Sequence, residues 1–182
     1  IELVVAIVPR VDPYFTRSLG LGAGLSLLTL SVLMFMPLVI PFWELYIAVL
    51  AAFMLPFGVI ELVPPLKRAL NGRKRLQRQV ELHARATFQK NHLTETSQRT
   101  GLLVYLAEFE QIACVVPDIG VESELNKAEL AELEARFNAV VTAGNVEESL
   151  LERLDQLRPF FDEYFPPREP NFDELPNYLD VL

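Results

Sequence analysis

The first apolar run, Glu2 to Val8 (ELVVAIV), is rich in β-branched residues and ends at Pro9, the pattern of a buried strand. So short a strand needs partners. The next stretch, Ser18 to Trp43, runs 26 residues without a charge, beyond the roughly 20 apolar residues that cross a bilayer core as a helix. A second apolar run from Leu45 to Val63 is broken only by Glu61. Between them Pro37, Pro41, Phe42, Trp43, Glu44 and Tyr46 read as a hairpin tip, since proline stops helices and Trp and Tyr favour the headgroup interface. A signal peptide has no second span, and Ile1 to Arg17 is no basic leader. The pattern predicts a membrane hairpin inserted after the first strand, whose partners then lie beyond it. A strand that opens at Ile1 implies residues ahead of it.

After Pro64 and Pro65 the apolar spacing becomes helical, with Leu76, Val80, His83, Ala84, Thr87 and Phe88 on one stripe. Leu102 to Ala107 and Ile112 to Val116 are short apolar runs around the polar stretch 108–111, which predicts a hairpin of two buried strands. Asn126 with Glu129 opens a helix carrying Leu130, Leu133, Phe137, Val140 and Val141, and Gly144 stops it. Asn145 with Glu148 opens another, with Leu150, Leu154, Leu157, Phe161 and Tyr164 inward and a kink expected at Pro159. From Pro166 the proline-rich, acidic tail reads as extended. The predicted organisation is a strand and lead at 1–17, a transmembrane hairpin at 18–65, the rest of an α/β domain at 66–165 and a tail at 166–182.

Charge sorts the chain in the same way. Of the net charge of −8, residues 1–66 carry −2, residues 67–99 carry +7 and residues 100–182 carry −13. The basic block is too local to make an acidic chain a nucleic-acid binder. Lys67, Arg68, Arg73, Lys74, Arg75 and Arg78 follow the second span, Arg10 and Arg17 precede the first, and the tip has no basic residue. By the positive-inside rule both ends lie on the cytoplasmic side of the inner membrane. Lys67, Arg68, Arg73, Lys74 and Arg75 are candidates for anionic headgroups, at about 1 kcal/mol each, or serve only as a topology signal. Gly20, Gly22 and Gly24 on the first span and Ala48 and Ala52 on the second would let the helices approach closely, or receive a helix of another transmembrane subunit.

Chemistry is sparse. The sequence has no phosphate-binding loop, dinucleotide glycine pattern, HExxH or GxSxG motif. The one cysteine, Cys114, reads as a small core thiol, and His83 and His92 stand nine apart, off the i, i+4 spacing of a metal helix. Glu108, Glu110 and Asp118 are the candidate ligands for a hard cation, Ca²⁺ or Mg²⁺. The alternative for them is a solvated acidic turn and loop.

The stretches ARATF (84–88), TETSQRTGLL (94–103), AEFE (107–110), CVVPDIGV (114–121), FPP (165–167) and DELPN (173–177) resemble the TPM-domain family, in particular its membrane-anchored bacterial branch. The resemblance implies an α/β fold, a small TPM-like sandwich domain interrupted by the two-helix transmembrane hairpin. It also implies one of two activities. One is an accessory or assembly subunit of a photosynthetic or respiratory membrane complex, with the bilayer and other transmembrane subunits as partners. The other is a cation-dependent acid phosphatase. Soluble members place an acid before the glycine that opens the second strand, where this chain has Thr100 preceded by Arg99. Glu108, Asp118 and Gly120 match the membrane-anchored pattern.

Overall fold

The computed structural model describes residues 1–37, 40–96 and 99–165 and the two-residue strand Asp180–Val181. The chain is mixed α/β and divides into two compact units, one of residues 1–11 with 76–182 and one of residues 12–75.

The first unit is built on a small sheet. β1 (Glu2–Val8) lies parallel to β2 (Gly101–Ala107), with Glu2 opposite Gly101 and Val8 opposite Ala107. Parallel neighbours require a long crossover, and here 92 residues separate the strands, including everything in the second unit. β2 turns back as β3 (Ile112–Pro117), antiparallel, and β4 (Asp180–Val181) pairs with β1 on its other side. The order β3-β2-β1-β4 makes β2 central, and all seven of its residues are buried. That double-sided burial is why its sequence is a continuous apolar run rather than an alternating one.

Leu102, Val104, Leu106, Ile7 and Ala113 face one core. It is completed by α5 (Ile119–Glu124), α6 (Lys127–Thr142) and α7 (Val146–Tyr164), through Val121, Leu133, Phe137, Val140, Leu150 and Leu157. Asn126 caps α6 as its sequence predicts. Its side chain accepts from Ala128 N (2.8 Å) and Glu129 N (3.0 Å), and its own N–H donates to Glu129 Oε2 (2.7 Å), a motif worth about 1 kcal/mol. The far end of α7 is tied to the same place, where Tyr164 Oη donates to Glu129 Oε1 at 2.8 Å.

The second unit holds α1 (Phe15–Phe35), α2 (Phe42–Leu62) and α3 (Pro64–Asn71), with α4 (Arg73–Lys90) starting in it and continuing into the first. α1 and α2 are antiparallel. A Cβ on Gly22 would lie 3.0 Å from Phe53 O, and Ser26 Oγ donates to Val49 O at 3.2 Å. Both helices are long and apolar enough to cross a membrane, and only 11% and 6% of their most apolar windows are buried.

Several expectations shift. Phe42, Trp43, Glu44 and Tyr46, expected in the hairpin tip, form the first turns of α2, because Pro41 is its N-cap and proline is no obstacle where the N–H has no helical partner. The helix expected after Pro65 is two, broken at Gly72, whose φ of +75° is left-handed and ends α3. His83 falls off its buried stripe and is exposed. A short helix, α5, precedes the two expected ones, and Pro159 lies inside α7 as expected. The proline-rich stretch 166–179 lies outside the described residues.

Candidate functional site

The three candidate cation ligands do not converge. Glu108 and Glu110 sit at the β2–β3 turn, and Asp118 at the other end of β3, a strand of six residues that spans roughly 20 Å. Direct coordination needs about 2.3–2.6 Å to one ion. Each acid has its own surroundings. Glu108 is exposed. Glu110 is buried, accepts from Val11 N at 3.0 Å through Oε1, and leaves Oε2 without a hydrogen-bond partner among the described residues. Burial, and then the charge of Glu110, raise the Tyr105 phenol above its ordinary value. Beside this turn the Arg10 guanidinium lies 4.5 Å from the centre of the Phe109 ring, a cation–π contact.

Asp118 is held by Arg99. Arg99 Nε donates to Oδ2 at 2.7 Å and Nη2 to Oδ1 at 2.9 Å, while Ile119 N adds a bond of 2.9 Å to Oδ1. The guanidinium bonds hold the carboxyl below its usual range, more strongly than burial raises it. The pair arises from hairpin register. Leu102 opposite Pro117 continues outward as Asp118 N to Gly101 O (2.8 Å) and Gly120 N to Arg99 O (2.9 Å). Arg99 thus acts on Asp118, a role that its position before Thr100 did not reveal. Gly101 is fixed by close approach, since a Cβ there would lie 2.5 Å from Leu93 O.

The base of the helical hairpin is a second polar cluster. Lys67, 1% exposed, pairs with Glu61 Oε2, and Ser18 Oγ donates to Glu61 Oε1 at 2.8 Å. Lys67 is therefore turned inward and does not offer its ammonium to a headgroup. Arg73 and Lys74 are exposed, and Arg68 and Arg75 are partly so. Arg17 Nη1 donates to Leu70 O (2.7 Å) and Asn71 O (3.0 Å), placing a cation on the C-terminal carbonyls of α3. Among the small residues, Gly22 meets Phe53, whereas Cβ atoms on Gly20 and Gly24 would meet nothing within 4 Å. Ala48 and Ala52 are partly buried.

A third feature, absent from the sequence reading, is a cleft of about 670 Å³ along the outer edge of β3. Cys114, Val115 and Val116 line it together with Phe88, Glu81 and Arg85 of α4 and Glu134 of α6. The β3 amides are already engaged: Ala113 N donates to Asn138 Oδ1 at 2.9 Å and Val115 N to Glu134. Desolvation, helped by the charges of Glu134 and Glu81 and opposed by Arg85, pushes the Cys114 thiol up to about 12. Burial, with Glu81 close by, also raises Glu134 despite the amide it accepts from. Thiol and carboxyl are thus both raised by burial first and by neighbouring carboxylates second. A thiol so disfavoured as thiolate is a poor nucleophile.

No group of three or more His, Cys, Asp or Glu able to hold a metal occurs among the described residues, and both histidines are exposed. No family model, characterised protein or solved structure matched the chain. What stands is a class: a mixed α/β chain with two helices that are able, by length and composition, to span a membrane.

Proposed function

We propose that the chain is a membrane-anchored accessory or assembly subunit of the TPM type. It acts by binding and stabilising a larger membrane complex, photosynthetic or respiratory. α1 and α2 cross the inner membrane, and both termini and the α/β unit lie on its cytoplasmic side. The observation that carries this reading is the apolar surface of the two helices. Leu27, Leu28, Phe35, Phe42 and Leu55 are each more than 60% exposed, which is too costly to leave in water at about 25 cal/mol per Å². The basic residues flanking the helices and missing from residues 36–41 support the orientation. The alternative, a divalent-cation-dependent phosphatase, rests on Glu108, Glu110 and Asp118, which β3 holds apart.

The test is affinity purification of the tagged full chain from its native membrane in a mild detergent. A stoichiometric complex of transmembrane proteins is the expected result. Recovery of a lone monomer, or phosphatase turnover with Ca²⁺ or Mg²⁺ that Asp118→Asn abolishes, would overturn it. A cysteine-labelling scan of the two ends with a membrane-impermeant reagent checks the orientation.

A further inference from the structure

Edge strands commonly recruit another strand, through outward N–H and C=O groups. β3 is closed to that. In an antiparallel pair the N–H and C=O of one residue point the same way, so Ala113 and Val115 direct both away from β2. Their amides are taken by Asn138 and Glu134, and Pro117 has no N–H to give. The outward carbonyls of Ala113 and Val115 remain on the cleft wall as acceptors. Beside them stand the carboxylates of Glu81, Glu122 and Glu134, against Arg85 as the one cation among the described lining residues, itself paired with Glu81 at 2.6 Å. Phe88, Val116 and Cys114 supply apolar surface. Gln77, Gln89 and Thr94 complete the lining with neutral polar groups, so the carboxylates and carbonyls outweigh the cationic donors, and the apolar wall suits an aliphatic stem. The side chains that match it are Lys and Arg, whose methylenes pack while their heads donate.

We propose that the β3 cleft binds Lys and Arg side chains of an extended basic segment next to a membrane span of a partner protein. This inference rests on the accessory-subunit reading, and on the same charge rule that orients this chain. Partner segments on the cytoplasmic side are rich in Lys and Arg, and the acidic unit presents them with a complementary site. The size fits one or two side chains with backbone, within the usual 300–1,000 Å³ of a binding cleft.

The test uses the full chain in dodecylmaltoside micelles and a fluorescein-labelled twelve-residue peptide of alternating Lys and Ser, read by anisotropy. Glu81→Gln with Glu134→Gln is expected to weaken binding about tenfold. Asp155→Asn, which removes an exposed charge from α7, is expected to change it less than twofold. Saturating peptide is also expected to slow alkylation of Cys114, the only cysteine. Equal weakening by Asp155→Asn, or unprotected Cys114, would overturn the proposal by showing only diffuse attraction. So would a homodimer dissolved by the double variant, since the occupant is then a second copy. In native membranes, a benzophenone attached at Cys114 is expected to cross-link to a Lys/Arg-rich segment adjoining a span. If the wild type and the double variant recover the same complex equally, the cleft proposal falls and the accessory-subunit reading stands. If neither recovers a complex, that reading falls, while the peptide data still report on the cleft.

Discussion

Arg99 grips Asp118 through two parallel hydrogen bonds, 2.7 Å to Oδ2 and 2.9 Å to Oδ1, with the carboxylate buried and the guanidinium half exposed. Asp118 is also the N-cap of α5. One side chain therefore joins the segment before β2 to the one after β3, and the two-point geometry is specific to Arg.

The pair has a pH signature. Because Arg99 lowers the Asp118 carboxyl, its stabilisation is complete above the unfolded carboxylate value of about 3.9 and is lost as pH falls through the lower folded value. Thermal melts of the full chain in micelles should show the wild type above Asp118→Asn at pH 7. The gap should close below about pH 4. A gap that does not vary with pH would mean that the ion pair contributes nothing. Arg99→Lys should recover only part of the stability lost in Arg99→Ala.

At the hairpin base, Lys67→Ala removes the ammonium from beside Glu61, which is 29% exposed and keeps its hydrogen bond from Ser18. Breaking a buried pair costs about 3–5 kcal/mol, and the partial exposure of Glu61 places this one near the lower end. Glu61→Gln added to Lys67→Ala should recover most of the loss, because the carboxylate charge that the ammonium balanced is then gone. Helix content against denaturant in mixed micelles measures both variants. Failure of the second change to rescue would show that Lys67 acts through its packing.

Gly22 and Gly24 should behave oppositely. Gly22→Val forces atoms against Phe53 O and should destabilise the helix pair by about 1–3 kcal/mol. Gly24→Val meets open space and should change it by under about 0.5 kcal/mol. The same mixed-micelle unfolding measures the difference, and equal losses would remove the assigned α1–α2 contact.

Glu134→Gln keeps an acceptor for the Val115 amide and deletes a charge that raises the Cys114 thiol. More thiolate forms at pH 9, so alkylation by iodoacetamide should accelerate roughly threefold or more. An unchanged rate with intact folding would place Glu134 too far from the thiol to matter.

The sequence by itself determined the elements that rest on local patterns. Strand β1 ends where Pro9 follows it, the capping box of Asn126 and Glu129 starts α6, and the apolar runs from Ser18 and from Leu45 give α1 and α2, because periodicity, caps and proline act over a few residues. The turn proline Pro41 misled only at the boundary, since it sits at a helix start where its missing N–H costs nothing. Tertiary structure alone decided which distant residues meet. It set Glu110 and Asp118 at opposite ends of β3, gave Asp118 to Arg99 through the hairpin register, and turned Lys67 from the lipid surface onto Glu61. It also assembled the β3 cleft from α4, β3 and α6, which no local spacing could announce. A carboxylate reads the same in sequence whether it is solvated, paired or facing a cleft. Its role is fixed by what the fold brings within about 3 Å of it, where hydrogen bonds and ion pairs form.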